Sequence, residues 1–322
     1  MLTNFFSREP IKKLQQQPDT LIVLPLSGRC EYTQSGVIDT GLSGFDLPDH
    51  HEVWQVTGQQ VKHGSTDNNH WAKTDNILCV SRWVNFDEYA DIESAIHTAY
   101  YKILTLLNDQ GYPFTIRFWN YLPNINVGQG DEEVYKRFCT GRLQAFEAMN
   151  ISPQHYPAAS ALGHYSTGAV IYVLAAKTQP THFMNTNQVN AYEYPREYGV
   201  SSPSFARATA WTIPNNNERS NEEKRPYLFI SGTASIIGHK TIYPDDLLGQ
   251  LQTTANNIEQ LMVQTNTPLE NLKTLKVYIR HPEHVQATQT WLQERFPQAQ
   301  KLLTHADICR DSLLVEIECF CH

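Results

Sequence analysis

The residues best equipped for chemistry lie near the C-terminus, in Asp307-Ile308-Cys309-Arg310-Asp311 and Val315-Glu316-Ile317-Glu318. An arginine at the end of one strand and a glutamate on the next can divide two tasks. The guanidinium of Arg310 can clamp a carboxylate through two parallel hydrogen bonds. A partly buried carboxyl group such as Glu316 loses the water that favours its charge, so its pKa rises and it can donate a proton near neutral pH. An isolated pair of this kind also reads as a cross-strand ion pair contributing less than about 1 kcal/mol. Glu316 and Glu318 share one strand face, which turns one of them toward a site or an interface. Cys309 beside Arg310 reads either as a thiol of lowered pKa or as a small buried hydrophobe.

Three more segments carry unusual chemistry. Tyr135 and Arg142 lie seven residues apart, two helical turns, hence on one helix face. Arg142 alone reads equally as a solvated helix residue. The run Ala191-Tyr192-Glu193-Tyr194-Pro195-Arg196-Glu197-Tyr198-Gly199, continued by Ser202-Pro203-Ser204-Phe205-Ala206-Arg207, is aromatic and charged. A passive linker needs none of this, so the run predicts a pocket for a polar, anionic molecule. Ile230-Ser231-Gly232-Thr233-Ala234-Ser235-Ile236 ends a strand with small residues that let a ligand approach the backbone. His50-His51-Glu52 tempts as a metal cluster, but adjacent strand residues point to opposite faces, and the triplet is expected in a surface turn. Cys319-Phe320-Cys321 lacks the second pair that a structural zinc site needs.

The elements that must position these groups follow from hydrophobic periodicity. Residues 1–75 are the least legible, with strands expected at Leu21–Leu24 and Val53–Val56 and a polar loop from Gly58 to Asn76. Beyond them come a strand at Ile77–Val80, a helix over 91–109, a strand at Thr115–Trp119, a helix from about Asp131 to Met149, and a strand at Val170–Ala176. The second half repeats this order: Tyr227–Ser231, a helix from Asp245-Asp246, Leu275–Ile279, a helix over Pro282–Phe296, then Leu302–Cys309 and Leu313–Phe320. Two α+β units of about 100 residues each are inferred, one a scaffold and the other holding the site. Chance alternation of strands and helices would give the same order.

Composition bounds the function classes. The chain has 322 residues, 41% hydrophobic and 11% aromatic, with 25 basic against 33 acidic side chains and a net charge of −8. That excludes a disordered chain and argues against a nucleic-acid surface. The longest apolar runs fall well short of the roughly 20 residues of a membrane span, and no signal peptide opens the chain. Six scattered cysteines read as reduced thiols of a cytoplasmic protein.

Ser231–Ser235, Val277-Tyr278-Ile279-Arg280, the Cys309-Arg310 strand and Val315–Glu318 together resemble the RidA/YjgF-like fold. Arg117–Asn126, Tyr135–Phe146 and Tyr194–Arg207 are similar to one branch of it, the chorismatases, over about residues 50–322. The resemblance implies an α+β fold of two degenerate RidA/YjgF-like (chorismate mutase-like) units, each a mixed sheet with helices packed on one face. It divides the chain into an N-terminal unit with its extension (1–180), a connector contributing to the pocket (181–226), and a C-terminal unit carrying the active site (227–322). It implies cleavage of chorismate with release of pyruvate, with no metal and no cofactor. Glu316 would protonate the enolpyruvyl methylene, and Cys309 would assist aromatisation. Arg142, Arg207 and Arg310 would hold the two carboxylates, Tyr135 and Tyr194 would donate hydroxyl hydrogen bonds, and Ala234 would shape the pocket. A cysteine at 309 resembles members that make a hydroxybenzoate, with 3-hydroxybenzoate favoured over 4-hydroxybenzoate. An alanine at 234 resembles the hydrolytic branch that makes a dihydroxycyclohexadiene carboxylate. An enamine or imine deaminase and a non-catalytic ligand-binding protein are the rival readings. The expected partner is a small molecule, with neither nucleic acid nor membrane, and the chain is expected as a monomer or small homo-oligomer.

Overall fold

Runs of β-branched and aromatic residues become strands here because the central strands have two packed faces, one toward helices and one toward another sheet. A computed structural model of the chain describes residues 1–30, 36–45, 50–214 and 225–322. The N-terminal sheet orders Leu2–Ser7, His51–Val56 and Thr20–Pro25. A second sheet orders Asp307–Ile308, Ala158–His164, Phe114–Pro123, Ala169–Ala176, Ile77–Val84, Asn69–Lys73 and Lys62–Thr66. A third orders Thr181–Phe183, Ala208–Trp211, Tyr227–Thr233, Val315–Cys321, Leu272–Ile279, Gln300–His305 and Ser43–Gly44.

The inferred duplication is visible in topology. In the second sheet Phe114–Pro123 pairs in parallel with Ala158–His164, and in the third Leu272–Ile279 pairs in parallel with Gln300–His305; the other ladders are antiparallel. Each parallel pair is joined by a crossover helix, Val134–Ala148 or Val285–Arg295. Each unit also has a longer helix after its first strand, Ile92–Asp109 or Leu247–Gln264, capped by Asp91 or Asp246. The units are thus mixed sheets with helices on one face, as expected.

Three core layers result. Phe118, Leu122 and Val173 pack against Ile96, Ile103 and Phe146 of the first unit's helices. Leu275, Val277 and Ile317 pack against Leu251, Ile258 and Leu292 of the second's. Between the sheets, Trp119, Tyr172, Tyr278, Phe229 and Phe320 meet Leu2, Leu24 and Trp54 of the N-terminal sheet. Alternation along Val315–Cys321 therefore turns Glu316, Glu318 and Phe320 toward the intersheet side.

Three expectations need correction. The stretch from Gly58 to Asn76 contains a hairpin, Lys62–Thr66 with Asn69–Lys73, turned at Asp67 and Asn68, both with positive φ. It looks loop-like because an edge hairpin with exposed strand residues needs few apolar ones. His51 and Glu52 open a buried strand, and Glu52 is 2% exposed, which is the opposite of a surface turn. Its charge is tolerated because Lys276 reaches it at 2.8 Å from the third sheet. The helix over 131–149 begins only at Val134, after a 3-10 turn at Gly130–Glu132. Within 181–226, Thr181–Phe183 and Ala208–Trp211 are strands of the third sheet, and residues 215–224 lie outside the described residues.

The units also exchange edges. Asp307–Ile308 pairs with Ala158–His164, so the C-terminal chain crosses onto the other sheet just before Cys309. All six cysteines are unpaired. No described helix is long and apolar enough to cross a membrane.

Candidate active site

The second and third sheets meet where Ala158–His164 approaches Tyr227–Thr233. Backbone N–H groups of one strand donate to hydroxyls of the other: Ala159 to Ser231 Oγ at 2.9 Å and Gly232 to Ser160 Oγ at 3.0 Å. A cleft opens at this seam. Its wall brings together all eight residues singled out from the sequence: Glu316, Cys309, Tyr135, Arg142, Tyr194, Arg207, Ala234 and Arg310. The site is shared between units, since helix Val134–Ala148 of the first supplies Tyr135 and Arg142. The C-terminal unit supplies Cys309, Arg310 and Glu316, and the connector supplies Tyr194 and Arg207. A cleft at a sheet edge needs a second wall, and the other unit is that wall.

Glu316 is 5% exposed and lies beside Gly232. Among the described residues no hydrogen bond ends on its carboxyl group. Burial first, then the negative charge of Glu318, push its pKa up to about 8, against the pull of Arg117 and Arg207. It therefore carries a proton at neutral pH. Glu318, two residues on, has the opposite state. Burial alone would raise its pKa, but Arg117, Lys276, Ser160 and Trp119 hold it below the usual carboxylate range.

The cleft is cationic. Arg142 is 2% exposed and sits 5.0 Å over the Phe138 ring. Arg207 donates to the Tyr194 hydroxyl at 2.6 Å and lies 4.9 Å over Phe205. Arg310 donates to the His239 carbonyl at 2.9 Å and stacks on Tyr198 at 4.1 Å and Tyr194 at 5.3 Å. Among the described residues none of these three guanidinium groups has a carboxylate partner. Three cations without carboxylate partners around an acid of raised pKa can attract a ligand with more than one negative charge. Glu133 and Lys136 lie at the rim, paired with each other at 3.5 Å.

The open question at Cys309 is answered against a reactive thiolate. Burial and then Glu316 push the thiol up to about 12, outweighing Arg310. The group is a neutral thiol beside Tyr135, whose own pKa burial raises. Ala234, 4% exposed, fills the wall near Ile236. Among the described residues, no group of three or more His, Cys, Asp or Glu side chains could hold a metal ion.

The comparisons with known proteins agree with this architecture. Residues 52–175 match the family described as "Chorismatase FkbO/Hyg5-like, N-terminal". A "3-hydroxybenzoate synthase" of Streptomyces hygroscopicus is 35% identical over 280 residues, covering 83% of this chain and 80% of the relative. The chain belongs to the chorismatase family. A "Chorismatase" of Streptomyces rapamycinicus is 34% identical with the same coverage. A crystal structure of a chorismatase superposes with a TM-score of 0.85 at 28% identity, covering 100% of this chain and 98% of that one. The protein is thus an enzyme of the chorismatase family with an α+β fold.

Three pocket residues of this chorismatase, Ser160, Glu133 and Lys136, were not singled out from the sequence, whereas Tyr198 and Phe205 lie in the run expected to form the pocket. Ser160 sits in a run of alanines that reads as scaffold. Arg117 had a usable signal, because it is a lone charge inside the apolar strand Phe114–Pro123, where burial demands a partner.

Proposed function

We propose that this chorismatase converts chorismate to 3-hydroxybenzoate and pyruvate in the cytoplasm, with 4-hydroxybenzoate as the alternative product. One arrangement carries the reading: a buried Glu316, its pKa pushed up to about 8 by burial, faces a cleft in which Arg142, Arg207 and Arg310 have no carboxylate partner among the described residues. A dianion supplies that counter-charge. The guanidinium groups hold its two carboxylates, and Tyr135 and Tyr194 add hydroxyl contacts.

Glu316 donates its proton to the methylene carbon of the enolpyruvyl ether, which becomes the methyl group of pyruvate. The bond between the ring carbon and the ether oxygen breaks, so that oxygen leaves as the keto oxygen of pyruvate. The ring keeps its own hydroxyl oxygen, which shifts to the vacated carbon for 3-hydroxybenzoate and stays in place for 4-hydroxybenzoate. One ring proton leaves as the ring becomes aromatic, so the net reaction consumes no water. Glu316 is carboxylate after the first step and can receive that ring proton, restoring the acid. Cys309, as a neutral thiol, assists the aromatising step by hydrogen bonding and shape instead of covalent attack.

Ala234 favours a second outcome, the hydrolytic product formed with one added water. Incubation with chorismate, with pyruvate assayed enzymatically and ring products separated by chromatography, decides among them. Pyruvate with a hydroxybenzoate supports the proposal, and a dihydroxycyclohexadiene carboxylate overturns its product. No pyruvate, or an undiminished rate in Glu316→Gln, overturns it entirely.

A further inference from the structure

We infer that Glu318 is a positioning residue for this reaction: a negative charge, fixed in place by Arg117, Ser160 and Trp119, that keeps the neighbouring Glu316 in its proton-carrying state. The inference rests on the reading of Glu316 as the proton donor.

The geometry is specific. Glu318 Oε2 accepts from Arg117 Nη2 at 2.8 Å and from Ser160 Oγ at 2.7 Å, and Oε1 accepts from Trp119 Nε1 at 2.9 Å. These donors come from Phe114–Pro123 and Ala158–His164, so the opposite unit's sheet holds the group. Ser160 is itself pinned, receiving Arg117 Nη2 at 2.5 Å and the Gly232 N–H at 3.0 Å. Behind the pair, Lys276 stands opposite Glu318 in the ladder and is ion-paired with Glu52 of the N-terminal sheet. A carboxylate that accepts three such donors has no use for a proton.

Glu316 receives none of that. Charged and titratable groups reach it from Glu318 on its own strand, Tyr278 opposite it in the ladder, Arg117 from the other sheet, and Arg207 and Cys309 on the cleft side. Two carboxyl groups on one dry strand face cannot both ionise cheaply. The donors choose Glu318 for the charge, which leaves the proton on Glu316. Replacing Glu318 by a neutral residue acts twice in one direction, since it removes the repelling anion and frees Arg117 to stabilise ionised Glu316.

The test is pyruvate release from chorismate by full-length enzyme across pH 5.5–9.5. Glu318→Gln is expected to move the basic limb down by about one pH unit or more, lowering the rate ~10-fold above both limbs and much less at the acid end. Glu318→Asp, which keeps the charge, should hold the limb near its wild-type position. A residue that only neutralises Arg117 would cost stability and leave the limb in place, and that result overturns the inference. Glu318→Gln leaves Arg117 buried and unpaired, so a second measurement covers a folding failure. Infrared spectra of the isosteric Glu316→Gln variant should show no protonated buried glutamate at neutral pH, because Glu318 is ionised. A surviving protonated carboxyl band overturns the inference. If Glu316→Gln still turns over chorismate at the wild-type rate, the donor reading itself fails; an inactive Glu316→Gln with an unmoved Glu318→Gln limb sinks the inference alone.

Discussion

Gly232 lies so close to Glu316 that a Cβ at this glycine would stand 1.9 Å from Glu316 Oε1 and 2.8 Å from its Cδ. Strand and acid interlock, and the glycine is needed for space and not for an unusual backbone angle. Gly232→Ala must displace the carboxyl group by more than an ångström. Its kcat is expected to fall ~10²-fold, the order of loss typical for such misplacement, with a smaller change in KM. Steady-state kinetics and a melting curve check this, and wild-type kcat would refute the interlock.

The raised pKa of Glu316 has a stability consequence with a definite sign. A buried acid whose folded pKa of about 8 exceeds its ordinary value of 4.5 favours the fold below the lower value and loses that contribution as pH rises through the upper. Glu316→Gln removes the penalty for ionising in place. The variant should melt close to wild type near pH 5 and above it at pH 9, by on the order of 4 kcal/mol from a shift of this size. An equal offset at both pH values would show that Glu316 is not the titrating group.

Arg280 organises the loop that carries Cys309 and Arg310. Its guanidinium donates to Asp307 Oδ1 at 2.6 Å, to Asn126 Oδ1 at 3.2 Å, and to the carbonyls of Ile308, Arg310 and Leu313 at 2.8, 3.0 and 2.9 Å. Lysine cannot reproduce this planar fork. Arg280→Lys should lower kcat/KM by roughly 10–100-fold. It should also speed amide hydrogen exchange across residues 307–313 while leaving the helices protected. Unchanged exchange there would count against the role.

Arg310 is held flat by rings as well as by carbonyls. Tyr198→Leu removes the closer stacking partner, at 4.1 Å, and should raise KM by about 3–10-fold, consistent with a partly desolvated cation–π contact. Tyr198→Phe keeps the ring and should stay near wild type. Equal effects in both variants would point to the Tyr198 hydroxyl, which lies 3.2 Å from His239 Nδ1, as the working group.

Cys309 should behave as a half-buried, protonated thiol. Iodoacetamide is expected to modify it slowly at pH 7.5, and mass spectrometry of the labelled peptide follows the rate. Fast labelling would contradict a thiol pushed up to about 12. Cys309→Ala should alter the ratio of ring products more than the consumption of chorismate.

Much of this was legible along the chain because its causes are local. Helical spacing places Tyr135 and Arg142 on one face, strand alternation does the same for Glu316 and Glu318, and repeated element order shows the duplication. The N-terminal extension was harder to read, since Glu52 is a buried charge whose partner, Lys276, lies 224 residues away. Likewise, nothing near Glu318 in sequence announces Arg117 or Ser160.

The sequence by itself thus determined which side chains share a face and which unit holds the acid pair, both matters of periodicity and residue type, while its motifs carried the resemblance to the family. Only the tertiary structure decided where the protons sit. Glu316 and Glu318 are alike in residue type and strand face, and they differ because one sheet brings three donors to Glu318 and leaves Glu316 a dry, cationic cleft. The same burial turns Cys309 from a candidate thiolate into a neutral thiol. Protonation depends on solvent exclusion and on charges brought in from distant segments, and neither is encoded at the residue that titrates.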